Sequence, residues 1–127
     1  LSKEAERCLQ DLRLTDPRDD KSRIEDTNGG LLQGAYDWAI KHNNFIAWRD
    51  AGENHLLWIR GDPGKGKTML FCGIIDELQD RGVKPCYFFC QATDPRLNSA
   101  TAVLRGLIYL LMVTNRQLLS LIQERYD

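Results

Sequence analysis

Apolar residues recur every three or four positions along most of this chain, and two short runs of them stand apart from that periodicity. Leu70, Ile74 and Leu78 stand four apart, with polar Asp76, Glu77, Gln79 and Asp80 on the other side, which predicts a helix over 69–81. Gly82 follows, a residue suited to the left-handed conformation that closes a helix. Val103, Leu104, Leu107, Ile108 and Leu111 predict a second long helix behind a turn and N-cap region over Asp94 to Ser99, and Leu118, Leu119 and Ile122 begin another. Upstream, residues 3–12 read as a short helix with Leu9 and Leu12 inward, ended by the Asp16-Pro17 break, and 19–25 as a dense charge cluster. Thr27 or Asn28 then caps a helix carrying Leu31, Leu32, Ala35, Trp38 and Ala39, and Phe45, Ile46 and Trp48 make a shorter copy. Trp38 and Trp48 belong to these stripes and are expected as core anchors rather than base-stacking platforms.

The two continuous apolar runs, Leu56-Leu57-Trp58-Ile59 and Tyr87-Phe88-Phe89, have the length of buried strands. Between the first run and the helix after it lies Gly61-Asp62-Pro63-Gly64-Lys65-Gly66-Lys67-Thr68, which fits the phosphate-loop pattern G-x-x-x-x-G-K-[ST] at every fixed position. Strand, loop and helix thus come in the order the motif requires. Gly61, Gly64 and Gly66 let successive N–H groups point into an anion-sized nest at the positive end of the helix dipole. Lys67 is expected to reach the β and γ phosphates and the Thr68 hydroxyl to be the Mg²⁺ ligand, while Asp62, Pro63 and Lys65 fill the variable part of the loop. ATP and GTP are both open as ligands, because such loops do not read the base.

Composition narrows the alternatives. The chain has 127 residues, 43% hydrophobic and 28% charged, which is ordinary for a globular domain. With 17 basic and 18 acidic residues interspersed it carries no field for nucleic acid or an anionic membrane, and neither is expected as a partner. The most apolar stretch, 102–113, is far shorter than the roughly 20 residues a membrane span needs. The first residues lack an initiator Met and an apolar signal region, so a piece of a longer protein is expected. Cys8, Cys72, Cys86 and Cys90 show no metal-ligand spacing and are expected as buried cytosolic thiols.

A hydrolase of this class needs a further acidic residue at the end of an apolar strand. No such run ends in Asp-Asp or Asp-Glu here; Asp94 reads as a turn residue, and Arg96 and Arg105 as surface or packing residues rather than arginine fingers. Phosphate binding is therefore expected and hydrolysis by this chain alone is not.

Several segments carry a resemblance. Arg7-Cys8-Leu9, 15–21 with Arg23-Ile24-Glu25, Gly29-Gly30-Leu31-Leu32, the run from Leu56 through the loop to Leu70, 73–78, 88–94, and Asn98 with 100–111 resemble the NACHT-type NTPase domain of fungal NOD-like receptors. The family is typified by vegetative incompatibility proteins and is also described as the nephrocystin-3-like N-terminal domain. The resemblance implies an α/β P-loop NTPase fold, a partial parallel sheet flanked by helices, with residues 1–54 a helical lead-in and 55–127 the first part of the NTPase domain before its Walker B strand. It implies a nucleotide-operated switch of the STAND class, with an effector domain, a C-terminal repeat sensor and self-association through the full NTPase domain. Arg23 and Glu25 stand where related proteins place part of the adenine pocket. Two strands without neighbours also predict a fragment that is poorly stable or self-associates when expressed alone. A small kinase-like metabolic enzyme and a degenerate helical interaction fragment are the other readings.

Overall fold

Capping residues decide where the helices of this chain begin. The computed structural model describes residues 2–27, 36–52, 55–61 and 66–126, with side chains through 121. Its helices are α1 (Lys3–Leu12), α2 (Pro17–Thr27), α3 (Asp37–Ile40), α4 (Asn43–Asp50), α5 (Lys67–Asp80), α6 (Ala100–Thr114) and α7 (Gln117–Tyr126). The Ser2 hydroxyl accepts the Ala5 N–H at 3.1 Å and opens α1. Asp16 does the same for α2: its carboxylate accepts the Arg18 N–H at 2.9 Å, and its carbonyl accepts the N–H groups of Asp19 and Asp20 at 3.0 and 3.2 Å. Pro17 then takes the first helical position, where its missing N–H is no loss. The Asp16-Pro17 pair thus starts a helix rather than ending one, and the expected charge cluster over 19–25 is part of α2.

The α/β expectation is overturned. Among the described residues all regular structure is helical, and neither apolar run forms a strand or a bridge. A strand exists through hydrogen bonds to a neighbour, and an apolar run of four residues encodes burial without supplying that partner. The first run nevertheless alternates: Leu57 and Ile59 pack on a helical core, while Leu56 and Trp58 are 87% and 77% exposed.

The chain divides into two compact units, Leu1–Ser22 with Cys86–Asp127, and Arg23–Pro85. In the first, Ala5 of α1, Met112 of α6 and Leu119 of α7 form a buried cluster, with Leu9, Leu12, Ile108 and Leu118 packed against it. Arg105 of α6 donates to the carbonyls of Leu12, at 3.2 Å, and Asp11, which satisfies the open C-terminal end of α1. The buried face of α6 is Ala102, Gly106, Tyr109, Leu110 and Met112, not the expected stripe: Leu104 is 60% exposed and Leu111 is exposed too. A helix that is apolar all round does not declare its inner face, and here small residues choose it. A Cβ on Gly106 would lie 2.5 Å from Cδ2 of Phe88, so only glycine admits that ring.

In the second unit, Ala39, Phe45, Leu70 and Ile74 make the core, with Tyr36, Ile40, Trp48, Leu57, Ile59 and Leu78 against it. Trp48 is thus the core anchor expected, whereas Trp38 is 64% exposed on the single turn of α3. The stripe positions Leu31, Leu32 and Ala35 and the cap Asn28 lie outside the described residues. α5 ends as expected: Gly82 has φ +81°, its N–H donates to Gln79 at 3.0 Å and that of Val83 to Leu78 at 3.0 Å, which closes the last turn. Among the described residues no helix is long and apolar enough to cross a membrane.

Candidate functional site

The phosphate-loop pattern ends on α5. Gly66 is the residue before its first turn and has φ +80° and ψ +19°, the left-handed region that glycine enters without steric penalty. Its carbonyl accepts the Leu70 N–H at 2.9 Å, the first bond of the helix. Among the described residues no side chain caps this end, and the first turn holds no acidic residue. The N–H groups of Lys67, Thr68 and Met69 are those that helix geometry leaves without an intrahelical acceptor, and they carry the positive end of the dipole.

Lys67 and Thr68 stand in that first turn, Lys67 half-buried and Thr68 exposed. The Lys67 ammonium donates to the carbonyl of Gly61, which joins the first glycine of the pattern to its lysine. The stem of Lys67 lies along Gly61: a Cβ there would meet its Cδ and Cγ at 3.5 and 3.7 Å. Gly61, Gly66, Lys67 and Thr68 are therefore brought together at one end of α5. Asp62, Pro63, Gly64 and Lys65 lie outside the described residues.

The chemistry of this donor set fits a phosphate. Backbone N–H groups at a helix start opened by glycine, a cation held at the Gly61 carbonyl and no carboxylate in the first turn all favour an anion. Mg²⁺ fits as a partner of that anion. Thr68 offers it one oxygen, and a cation that keeps most of its waters needs few protein ligands. Among the described residues no cluster of three His, Cys, Asp or Glu side chains could hold a metal by itself.

The remaining candidates have local duties. Asp94 accepts the Arg96 N–H at 2.9 Å and pairs with its guanidinium at 3.0 Å, so it is the turn residue expected and Arg96 is tied to it. This pairing holds the guanidinium of Arg96 above its usual range. Arg105 is the α1 end cap described above. His42 caps α4, its Nδ1 accepting the Asn44 N–H at 3.1 Å, and Trp48 Nε1 donates to the His55 carbonyl at 3.2 Å. The cysteines are free, but the expectation that all four are buried holds only for Cys8 and Cys72; Cys86 and Cys90 are exposed. They sit in the short run that lacks a strand partner to cover it. Arg23 and Glu25 lie on α2.

An open cleft of about 590 Å³ borders the far part of α5, lined by Tyr36, Asp37, Lys41, Arg49, Glu77 and Arg81 among others. Arg81 pairs with Glu77 at 2.8 Å and Arg49 with Asp50 at 2.8 Å. Tyr36 was absent from the residues expected to matter, although a lone glycine in a helical pattern, Gly73, is a signal that something approaches the backbone there.

Residues 34–127 match the family described as nephrocystin 3, N-terminal. The chain is 57% identical over 123 residues to the vegetative incompatibility protein HET-E-1 of Podospora anserina, a match that covers 94% of this chain and 9% of that protein. No solved structure matches it.

Proposed function

The chain belongs to the nephrocystin 3, N-terminal family, and from that premise we propose that it is part of the nucleotide-binding module of a fungal incompatibility receptor, with Gly61 to Thr68 as its phosphate loop. The observation that carries this reading is the left-handed Gly66 opening an uncapped α5 with Lys67 and Thr68 in the first turn. Gly61, Gly64 and Gly66 keep the backbone free of side chains where phosphate oxygens approach, and the N–H groups of 66–69 hold them. Lys67 leaves the Gly61 carbonyl for the β and γ phosphates, exchanging a neutral acceptor for an anionic one. Thr68 gives its hydroxyl to the Mg²⁺ that accompanies the nucleotide, and that ion neutralises phosphate charge.

The finer reading is a NACHT-type STAND switch in which exchange of ATP or GTP governs self-association, effector output and response to a repeat sensor elsewhere in the protein. The similarity to HET-E-1 and the intact loop support it, and free thiols fit the reducing cytoplasm. Titration with a fluorescent ATP analogue and Mg²⁺, beside Lys67→Ala and with ATP, ADP and GTP as competitors, tests it. Saturable binding that falls by at least about 10-fold in the variant is expected, since a charge-assisted bond to phosphate is worth roughly 1.5–3 kcal/mol. Equal binding by wild type and variant would remove the phosphate site.

A further inference from the structure

α5 is gripped in its middle as well as along its apolar face. A Cβ built on Gly73 would lie 2.4 Å from Cγ of Tyr36 and 2.6 and 2.8 Å from its Cδ1 and Cδ2. These atoms form the root of the ring, so turning the hydroxyl end aside makes no room for a methyl group; the whole ring must leave. Tyr36 is not free to follow. Its carbonyl accepts the N–H groups of Ala39 and Ile40 at 3.0 and 3.2 Å at the start of α3, and Ala39 is packed in one core with Leu70 and Ile74 of α5. Gly73 lies seven residues beyond Gly66, about two turns, and thus on the same side of α5 as the left-handed residue that opens it.

We propose that Tyr36 is a positioning residue for the first turn of α5: its ring, seated on Gly73, fixes the roll and axial setting of that helix and so where Lys67 and Thr68 are presented. This rests on the phosphate-binding reading above. Restoring a 2.4 Å approach to ordinary carbon contact at about 3.5–4.0 Å asks for a displacement of more than about 1 Å. A binding constellation works only when held within about 0.5 Å of its productive geometry. The helix is stiff, so a shift at Gly73 is felt two turns away at the loop. Tyr36 acts through α5 and is given no contact with the ligand.

Four variants test this: Tyr36→Phe, Tyr36→Ala, Gly73→Ala, and Tyr36→Ala with Gly73→Ala, each held at a temperature where its melting curve shows it folded. Affinity for the fluorescent ATP analogue with Mg²⁺ is measured, and amide hydrogen exchange over 66–70 in the empty protein. Tyr36→Phe should bind within about twofold of wild type, Tyr36→Ala and Gly73→Ala should each bind about tenfold more weakly and exchange faster over 66–70, and the double variant should lose clearly less than the two losses combined, because its methyl no longer meets a ring. A folded Tyr36→Ala or Gly73→Ala that binds and exchanges like wild type overturns the proposal, as does a double variant whose loss equals the two single losses combined. Failure of wild type itself to bind sinks the phosphate reading instead; exchange over 66–70 in the empty variants then still decides whether Tyr36 sets the helix.

Discussion

Both long helices seat an aromatic ring on a glycine, Tyr36 on Gly73 in α5 and Phe88 on Gly106 in α6, yet their first turns are built to opposite ends. α6 opens on Ser99, whose hydroxyl accepts the Ala102 N–H at 3.1 Å. α5 opens on Gly66, which has no side chain to offer. One helix satisfies a donor with the side chain of its own cap residue, and the other has at that position a residue with none to give. The sequences read accordingly: an oxygen-bearing cap is the ordinary solution, and glycine followed by lysine and threonine gives up that stabilisation at one helix start. Three other helix starts follow the ordinary rule, with Ser2, Asp16 and His42 each accepting a nearby backbone N–H, while the single turn of α3 opens on Tyr36 without a side-chain cap.

Three substitutions sharpen this contrast. The largest effect is expected from Gly106→Ala: a Cβ 2.5 Å from a ring atom of Phe88 puts overpacking at the upper end of about 1–3 kcal/mol, and the better helix propensity of alanine returns at most about 1 kcal/mol, for a net loss of about 2 kcal/mol or more. Urea unfolding should show a lower midpoint at unchanged slope. Gly66→Ala comes next. Among the described residues nothing lies within 4 Å of a Cβ there, and a side chain in the left-handed region costs about 1–2 kcal/mol. It should weaken nucleotide binding as well as lower the melting temperature, whereas Gly106→Ala should leave affinity alone. Ser99→Ala is the smallest, about 1 kcal/mol for a lost cap, read from thermal unfolding with no change in binding. If Ser99→Ala altered affinity as much as Gly66→Ala, the division of labour between the two helix starts would be wrong.

The sequence signals that survived in the structure are punctuation. Residues 3–12, Ser99 and Gly82 mark helix ends where they were expected, because caps act on their own few neighbours. What failed depends on distant partners. Leu56-Leu57-Trp58-Ile59 and Tyr87-Phe88-Phe89 have strand composition without a strand, since pairing belongs to two segments and composition to one. The inner face of α6 was missed because leucines on all sides hid the small residues, Ala102 and Gly106, that set it. Trp38 is exposed because the single turn of α3 gives Ala39 and Ile40 to the core and leaves Trp38 outside it. α2 was legible in principle: Asp16, Pro17 and acidic residues in the first turn are a start signal, read instead as a break. Of the site, the loop was legible as a motif. Tyr36 was not, since its contact with Gly73 joins residues 37 positions apart.

Amide hydrogen exchange with and without Mg²⁺ and ATP, followed at the first turns of α5 and α6 in the same sample, tests the central claim most directly. Slower exchange at Lys67, Thr68 and Met69 with no change at Thr101 and Ala102 is the predicted result. Exchange unchanged at both turns, or slowed equally at both, would contradict the account of α5 as a helix left open for phosphate.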